Sequence, residues 1–322
     1  MTENTRNRMA YAVFFVLITA VGALLKNPYY LQVLIFIGIN TLLALSLNML
    51  MGYAGQISLG HAAFYGIGAY TTAVLSTTYN FPPLLALPAA IFFAMAVAWI
   101  VGIPTLRLTG YYLAMGTLGF GMIIHILFRE WQSVTGGASG FVGIPPLEIG
   151  PLAFTSNRSY FFLVWAVVLL SFIMCQRIIH SRVGRALRSI HDGEKAAAAV
   201  GVNTKALKLQ VFVFSAGMAA FAGFLYAHLV YFISPGTFDF ITSIRIVTMV
   251  VIGGMASIWG TLFGASLLTL LPEWLHAFSD FEMVVYGLIL MTVMIFLPRG
   301  LTRGAIDIYE RTRRKKGKTS DR

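Results

Sequence analysis

The sequence predicts an all-α integral membrane protein with about ten transmembrane helices. Of its 322 residues, 58% are hydrophobic and only 11% are charged, whereas a soluble globular domain carries about 25% charged residues. Apolar runs close to the ~20 residues that a membrane-spanning helix needs recur along the chain. No stretch between them is large enough to fold separately, so we predict one membrane domain over residues 1–322.

The apolar runs mark the predicted spans, and several of them are short or interrupted by glycine. They lie at residues 9–25, 31–51, 57–78, 84–105, 111–128, 160–179, 209–232, 242–257, 261–276 and 282–297. The first run follows Arg6 and Arg8 and superficially resembles a signal peptide. Because it is long enough to cross a bilayer and many spans follow it, we predict an uncleaved transmembrane helix.

The basic residues set the predicted orientation. With an even number of spans, one side of the membrane holds Arg6 and Arg8, Arg107, a loop at about 180–208 and a tail at about 299–322. Cytoplasmic loops carry an excess of Lys and Arg, so this side, with both termini, is predicted to be cytoplasmic. The loop at about 129–159 then faces the opposite side. The same distribution accounts for the net charge of +11 and indicates contact with membrane lipid rather than with nucleic acid.

A glycine-rich run, GYAGQISLGHAAFYGIGAY, occupies residues 52–70 between two apolar stretches. In a membrane, small residues let helix backbones approach closely, and glycine-interrupted segments also line the paths of transporters. A second run, near residues 253–264, echoes the first in glycine density, either as a weak inverted repeat or by chance. The candidate residues for helix packing or for a path are Gly52, Gly55, Gln56, Ser58, Gly60, His61, Gly66, Gly68, Gly253 and Gly254.

The positions of the acidic residues argue against transport driven by an ion gradient. All 12 Asp and Glu residues fall in predicted loops, tails or span ends, whereas ion-coupled transporters place carboxylates within the membrane. His61, His125 and His228 could relay protons, but a hydrogen bond between packed helices is the favoured interpretation for each. The energy for transport is therefore predicted to enter from outside the spans.

The chain carries no motif for catalysis or for cofactor binding. A P-loop requires G-x-x-x-x-G-K-[ST], and the sequence Gly317-Lys318-Thr319 lacks the first glycine because Thr312 stands there. The single cysteine, Cys175, excludes a disulfide framework or a cysteine-based metal site. We therefore predict a protein that is not an enzyme and that binds neither a metal nor a cofactor.

The largest predicted cytoplasmic loop, Arg182 to Gln210, is basic and contains a predicted short helix. Ala196 to Ala199 favour a helix strongly, and Gly201 followed by Asn203 ends it. Two interpretations of these residues stay open. The helix is either a rigid element that docks on a soluble partner or part of an ordinary basic loop next to the membrane.

Four stretches resemble the permease subunits of branched-chain amino acid ABC importers, and among these the LivM type. They are LNMLMGYAGQISLGHAAFYGIGAY, PTLRLTGYYLAMGTLGFGMIIHILFREWQSVTGGASGFVGIP, GRALRSIHDGEKAAAAVGV and SIRIVTMVVIGGMASIWGTLFGA. They occur in the family's order and extend over residues 47–265, which is most of the chain. The departures are Tyr111 and Met122, where acidic residues are common in the family, Arg245, where an acidic or apolar residue is usual, and Ala256, which replaces a glycine.

The resemblance implies a set of partners and a location in the bacterial inner membrane. Such a permease pairs with a second, homologous permease of the LivH type, two cytoplasmic ATPase subunits that bind ATP and Mg²⁺, and a periplasmic substrate-binding protein. The loop at about 180–208 becomes the element that couples the permease to the ATPases. The residues implied in this contact are Gly184, Arg185, Arg188, Asp192, Glu194, Ala197 and Gly201. The segment at 129–159 becomes either the contact for the binding protein or a surface lid of short turns.

The implied activity is ATP-driven import of branched-chain amino acids or of a related small polar solute such as urea, an amide or an aromatic acid. The chain would form half of the translocation pathway, while the partner subunits hydrolyse ATP. Two other classes stay open. One is an ion-coupled secondary transporter, which the lack of carboxylates within the spans disfavours. The other is an ATP-independent transporter or channel for a small neutral solute.

Overall fold

A computed structural model shows the chain as a bundle of helices; it describes residues 3–25, 27–149 and 152–275, together with residues 287, 288 and 291. The helices that correspond to predicted spans are α1 (Glu3–Leu24), α2 (Pro28–Ala54), α3 (His61–Thr77), α4 (Pro83–Thr105), α5 (Tyr111–Glu130), α7 (Asn157–His180), α10 (Thr204–Val230), α11 (Phe240–Gly253) and α12 (Ile258–Leu275). Three short helices lie between them: α6 (Gln132–Thr135), α8 (Arg182–Asp192) and α9 (Glu194–Ala199). Apart from the three single positions, the predicted span at 282–297 and the tail at 299–322 lie outside the described residues.

The lengths of these helices fit a membrane protein. Among the described residues, α2, α4, α5, α7 and α10 are long and apolar enough to cross a bilayer, and α11 and the apolar part of α1, Tyr11–Leu24, are shorter. The predicted fold class, an all-α membrane protein, is therefore confirmed. The number of about ten spans stays a prediction.

Helix α2 lies at the centre of the bundle and packs against α7, α10, α11 and α12. Most of its residues are buried, as is typical of a helix that is apolar on every side. Its buried hydroxyls are satisfied within the helix: Thr41 Oγ1 donates to the Ile37 carbonyl at 2.7 Å and Ser46 Oγ to the Leu43 carbonyl at 2.7 Å. Asn48, one turn from the end of the helix, instead bonds to another part of the chain.

Helices α3, α4 and α10 pack closely through small residues. In α4 the buried residues recur at every fourth position, so they form one stripe along the helix. This stripe consists of Ala86, Ala90, Ala94, Ala98 and Gly102. A Cβ added at Gly102 would lie 2.7 Å from Leu209 of α10, and one at Gly217 of α10 would lie 3.1 Å from Met95 of α4. The large side chains of Phe92 and Trp99 are exposed on other faces of α4.

The connections divide the bundle into two ends. At one end β1 (Phe141–Val142) pairs antiparallel with β4 (Phe232–Ile233), and β2 (Glu148–Ile149) pairs antiparallel with β3 (Leu152–Ala153). Short 3₁₀ helices at Gly137–Ser139 and Pro235–Phe238 lie in the same connections. At the other end lie the turn between α4 and α5, which carries Arg107, and the α8–α9 pair before α10. The two ends thus separate the basic loops from the segment at 129–159.

Three element boundaries differ from the prediction. The span predicted at 57–78 begins only at His61, because the chain leaves α2 through the left-handed residue Gly55. The span predicted at 242–257 ends at Gly253, because Gly254 has φ 106° and interrupts the helix. The single short helix predicted in the basic loop is preceded by a second one, α8, and Gly193 separates α8 from α9.

Candidate translocation and coupling site

The first glycine-rich run folds as a break between two helices rather than as one continuous span. Gly55 has φ 67°, and its N–H closes α2 on the carbonyl of Leu50. This left-handed conformation at a helix end is one that glycine adopts without steric cost. Residues 56–60 are not helical, and Gly60 precedes the first residue of α3. We call residues 55–60 the first break.

The polar side chains at the first break are buried and mostly unpaired. Gln56, Ser58 and His61 are all removed from solvent. Within the described part of the chain, the side-chain amide of Gln56, Ser58 Oγ and His61 Nδ1 have no hydrogen-bond partner. His61 Nε2 lies 2.6 Å from Ser46 Oγ of α2, which joins the start of α3 to the central helix. An unsatisfied buried polar group costs about 1–3 kcal/mol, so the first break raises the free energy of this conformation.

Neighbouring helices supply partners for the backbone of the first break. The Leu59 N–H donates to Thr117 Oγ1 of α5 at 3.0 Å, and the Ala62 N–H donates to Ser243 Oγ of α11 at 3.1 Å. A Cβ added at Gly60 would lie 2.1 Å from the Thr117 carbonyl. Non-helical backbone at membrane depth requires such partners from within the protein. The start of α3 is thus held between α5 and α11.

The second glycine-rich run also folds as a break, at residues 254–257 between α11 and α12. Gly254 has φ 106° and Ala256 has φ 58°, a region that non-glycine residues rarely adopt. Ala256 is the position at which the sequence replaces a glycine of the family pattern. We call residues 254–257 the second break.

The end of α2, just before the first break, lies against the second break. Asn48, near the end of α2, donates through Nδ2 to the Ser257 carbonyl at 2.9 Å and accepts at Oδ1 from the Ala256 N–H at 3.0 Å. The Tyr53 hydroxyl donates to the Ala256 carbonyl at 2.8 Å. A Cβ added at Gly52 would lie 2.4 Å from the Ala256 nitrogen. A movement of the end of α2, where the first break begins, would therefore displace the groups that hold the second break.

The remaining candidate glycines lie at close helix contacts. A Cβ added at Gly68 would lie 2.3 Å from the Ala220 carbonyl of α10, and one at Gly66 would lie 2.5 Å from the Phe128 ring. A Cβ at Gly253 would lie 2.1 Å from the Gly260 carbonyl, where α11 crosses α12. These contacts are those of small-residue helix packing in membranes. The structure thus places the predicted glycines in packing contacts, and their part in a path stays a prediction.

The α8–α9 pair carries the residues predicted to couple to the ATPases. Gly184 and Ala197 are buried, and a Cβ at Gly184 would lie 2.2 Å from the Ile179 carbonyl. Arg185, Arg188 and Asp192 are exposed. Two apolar side chains of the same region are also exposed, Val183 to 43% and Val200 to 80%. Gly201, just after the end of α9, has the positive φ of 88°.

Glu194 is tied to the protein itself. Lys208 Nζ of α10 donates to both of its carboxylate oxygens at 2.9 Å. The Lys208 side chain is only 7% exposed, whereas that of Glu194 is 39% exposed. The sequence analysis missed Lys208, since a single Lys among several in a basic loop gives no signal of burial. The pair fixes the start of α9 against the start of α10.

Helix α8 also contacts the end of α2 and the first break. Arg188 of α8 lies over the Tyr53 ring, with its guanidinium carbon 5.9 Å from the ring centroid. A Cβ added at Gly55 would lie 2.9 Å from Nδ1 of His191. A cavity of about 630 Å³ separates the remainder of α8 from the second break, and Arg188, His191, Asp192, Met255 and Trp259 are among its lining residues. Helix α8, the end of α2 and the second break thus border one cavity.

A second cavity, of about 360 Å³, lies between α2, α3, α10 and α11. Its polar lining residues are Asn40, Tyr65, Tyr226, Thr237, Asp239, Thr242 and Arg245. The sequence analysis noted Arg245 as a departure from the family pattern but did not place it in a site. No spacing in the sequence indicates that these residues meet, because they lie on four helices and a connecting segment.

The segment predicted to contact a binding protein is folded against the bundle. Thr135 Oγ1 donates to the Phe128 carbonyl at 2.7 Å, and His228 Nδ1 lies 2.8 Å from the Pro145 carbonyl. A Cβ added at Gly140 would lie 2.6 Å from the Ile233 carbonyl. The segment therefore has a defined surface. Its role as a docking contact or as a lid stays a prediction.

Comparison with known proteins gives consistent matches. Residues 29–297 match the family described as "Branched-chain amino acid transport system / permease component". The chain is 34% identical over 286 residues to the high-affinity branched-chain amino acid transport system permease protein LivM of Escherichia coli, a match that covers 82% of this chain and 67% of the relative.

More distant relatives cover the chain to a similar extent. The chain is 26% identical over 278 residues to the permease protein LivH of Salmonella typhimurium, covering 81% of this chain and 90% of the relative. It is 25% identical over 318 residues to the autoinducer 2 import system permease protein LsrC of Yersinia pestis, covering 91% and 85%. No solved structure gives a significant match. The match over residues 29–297, which takes in both breaks and the α8–α9 pair, shows that the chain belongs to the family of permease components of branched-chain amino acid transport systems.

Proposed function

We propose that the chain is one of two membrane-spanning subunits of an ATP-driven importer, and that its cargo is a branched-chain amino acid or a related small polar solute. The relatives named LivM and LivH are permeases of high-affinity branched-chain amino acid transport. The observation that carries the proposal is the contact of α8 with the end of α2, which leads into the first break and is hydrogen-bonded to the second. A displacement of this pair by a soluble ATPase would move Tyr53 and Gly55 at the end of α2 and, through Tyr53, the second break.

The surface of the α8–α9 pair fits a docking element. Val183 and Val200 present apolar area, while Arg185, Arg188 and Asp192 supply charges around it. Apolar area contributes to the affinity of an interface and charged groups to its orientation. Two partner subunits would bind ATP and Mg²⁺, and the permease itself would hydrolyse nothing.

Under this proposal the two ends of the bundle face different partners. Under the positive-inside rule the end that carries Arg107 and the α8–α9 pair is cytoplasmic, and in a ten-span arrangement both termini lie there too. The segment at 129–159 then faces the periplasm, where a substrate-binding protein would deliver its cargo. A homologous permease of the LivH type would cover the exposed side of α11, which presents Ile241 and Ile244.

The unpaired polar groups at the first break favour a conformational change. The Gln56 amide, Ser58 Oγ and His61 Nδ1 lack partners in the observed conformation of the described residues, and each unsatisfied group costs about 1–3 kcal/mol. Movement of the break toward water or toward a polar substrate would supply those partners. The free energy of opening is thereby lowered, so a modest displacement of the α8–α9 pair is enough to shift the equilibrium.

The test of the proposed function is uptake by the transporter reconstituted in liposomes with its ATPase subunits and its binding protein. We expect accumulation of radiolabelled leucine that needs ATP and persists with a proton ionophore. Accumulation without ATPase subunits that collapses with the ionophore would instead identify an ion-coupled carrier. Equilibration that needs neither would identify a channel for a small neutral solute.

The docking surface is tested separately by co-purification of the ATPase subunits from detergent. Val200→Asp places a charge at the centre of the exposed apolar surface, so we expect several-fold less ATPase to be retained. Val142→Asp is the matched control, because Val142 is 67% exposed at the opposite end. Equal retention by both variants would exclude the α8–α9 pair as the contact.

A further inference from the structure

The cavity between α2, α3, α10 and α11 has the properties of a small-molecule site. Its volume of about 360 Å³ lies within the range of about 300–1,000 Å³ that is typical of such sites. Apolar side chains from α2 and α11, among them Ile39, Leu43 and Met249, line part of it. The remainder is polar, and it includes one cationic and one anionic side chain.

The cationic group is Arg245, in the first half of α11. Ionisable residues on apolar membrane helices are costly, and they mark substrate paths when they face a cavity. The side-chain ion pairs among the described residues are Arg129–Glu130 and Lys208–Glu194. Within that part of the chain, Arg245 therefore has no carboxylate within 4.0 Å, although it shares a cavity with one.

The anionic group, Asp239, is held in place by α11 itself. One carboxylate oxygen accepts from the Thr242 N–H at 2.8 Å, which makes Asp239 the N-cap of the helix. Asp239 and Arg245 are six positions apart, a rise of roughly 9 Å along a helix. Their opposite charges face one cavity without neutralising each other.

The walls of the cavity restrict what can lie between these charges. Tyr65 and Tyr226 line the cavity with ring centroids 5.5 Å apart, and the buried Phe238, outside the lining, packs against Tyr65 at 5.0 Å. Asn40 is fixed by a bond from its Nδ2 to Thr269 Oγ1 at 2.9 Å. An aromatic and aliphatic surface with two separated charges favours a ligand that has an apolar part and two charged groups.

We infer that this cavity binds the substrate on its way through the permease and that the substrate is a zwitterionic α-amino acid. Arg245 binds its carboxylate, a pairing that the planar guanidinium makes with two parallel hydrogen bonds. Asp239 attracts its ammonium group, and the apolar wall contacts its side chain. The inference rests on the proposed function and narrows it, because it excludes neutral cargo such as urea or an amide.

The test compares Arg245→Gln with wild type in the complete transporter, reconstituted with its ATPase subunits and binding protein. The probes are radiolabelled leucine, valine and phenylalanine as zwitterions and urea and acetamide as neutral solutes. We expect the wild type to accumulate at least one amino acid and neither neutral solute. Arg245→Gln should lower that accumulation at least tenfold, and Arg245→Lys, which keeps the charge, should retain more of it.

Two controls separate substrate binding from structure. Arg107→Gln removes an exposed Arg at the other end of the bundle and should leave uptake unchanged. ATP hydrolysis stimulated by the loaded binding protein should persist in Arg245→Gln, which shows that the complex assembles. Asp239→Asn keeps an equally good N-cap, so a raised KM for the amino acid in this variant reports the lost charge rather than a lost cap.

The outcomes distinguish this inference from the proposed function. If wild-type uptake needs no ATP, the proposed function itself is wrong. If uptake needs ATP but Arg245→Gln accumulates amino acids as the wild type does, only the role of the cavity is wrong. Wild-type accumulation of a neutral solute, or of none of the amino acids, would also overturn the inference.

Discussion

At the scale of single residues, the absence of a side chain determines how closely the helices approach. A Cβ at Gly68 would meet the Ala220 carbonyl at 2.3 Å, and one at Gly223 would meet the Tyr65 carbonyl at 2.2 Å, so α3 and α10 are in backbone contact over about one turn. In a bilayer, where lipid is as apolar as leucine, such contacts supply much of the attraction between helices. The pattern of glycines therefore reflects, in the first place, the close packing of the helices.

Gly68→Ala should destabilise the protein by about 1–3 kcal/mol, because backbone atoms of α10 must move to admit the methyl group. The measurement is the midpoint of thermal unfolding in detergent. Gly119→Ala on α5 is the control, since nothing lies within 4 Å of its added Cβ and alanine favours a helix over glycine. A midpoint for Gly68→Ala at or above that of Gly119→Ala would contradict the backbone contact.

Ala256→Gly should have the opposite effect. Ala256 has φ 58°, and a left-handed residue with a Cβ destabilises the folded state by about 1–2 kcal/mol. Glycine removes this strain, but its greater conformational freedom in the unfolded chain disfavours folding by about 0.5–1 kcal/mol. We expect a net gain of up to about 1 kcal/mol, seen as a higher unfolding midpoint. Ala256→Val, which is more restricted at positive φ, should lower the midpoint; if it does not, Ala256 is not strained.

At the scale of elements, the sequence predicted helices well and interruptions poorly. Nine predicted spans overlap helices of the described chain because the apolar runs match the membrane thickness. The interruption between the predicted spans at 31–51 and 57–78 was placed a few residues too early, because the small and apolar residues from Gly52 to Tyr70 mark no sharp boundary and only the φ of Gly55 ends α2.

Contacts between residues far apart in the chain could be predicted from the sequence even less well than the interruptions. Lys208 and Glu194 lie 14 positions apart, and Asn48 and Ala256 lie 208 positions apart. No periodicity within one helix indicates such partners. The resemblance to a known family predicts which residues couple to the ATPases, but only the folded chain separates the exposed Arg185 from the buried Gly184 and Ala197.

The contact between α8 and the first break predicts a variant that uncouples ATP hydrolysis from uptake. Gly55→Ala places a methyl group 2.9 Å from His191 Nδ1, so we expect several-fold less substrate transported per ATP. Adding His191→Ala should restore part of the loss by removing the obstructing ring. Both quantities are measured in the same reconstituted transporter.

Gly110→Ala is the matched control for this experiment. Gly110 also has a positive φ, 58°, but no atom lies within 4 Å of its added Cβ, so the substitution reports backbone strain alone. If Gly110→Ala uncouples as strongly as Gly55→Ala, the effect comes from strain and not from the contact with α8.

At the scale of the whole molecule, the bundle has two chemically different ends, and their sides of the membrane can be read with a thiol reagent. The chain has one cysteine, Cys175, and it is buried in α7, so the wild type should not react with a membrane-impermeant maleimide. Val142→Cys should be labelled in intact spheroplasts, and Val200→Cys only after permeabilisation. The reverse pattern would show that the orientation is inverted.

The side chain of Asn48 gives the molecule a property that neither break has alone. Its two hydrogen bonds, to the Ala256 N–H and the Ser257 carbonyl, use the donor and the acceptor of one rigid amide. A small displacement of the second break therefore loses both bonds together, whereas separate side chains would release them one by one. The stabilisation that these two bonds give the observed conformation is therefore lost over a short displacement of the second break. This favours a concerted, all-or-none transition over gradual widening. Intermediate openings, through which solutes could leak, would be sparsely populated.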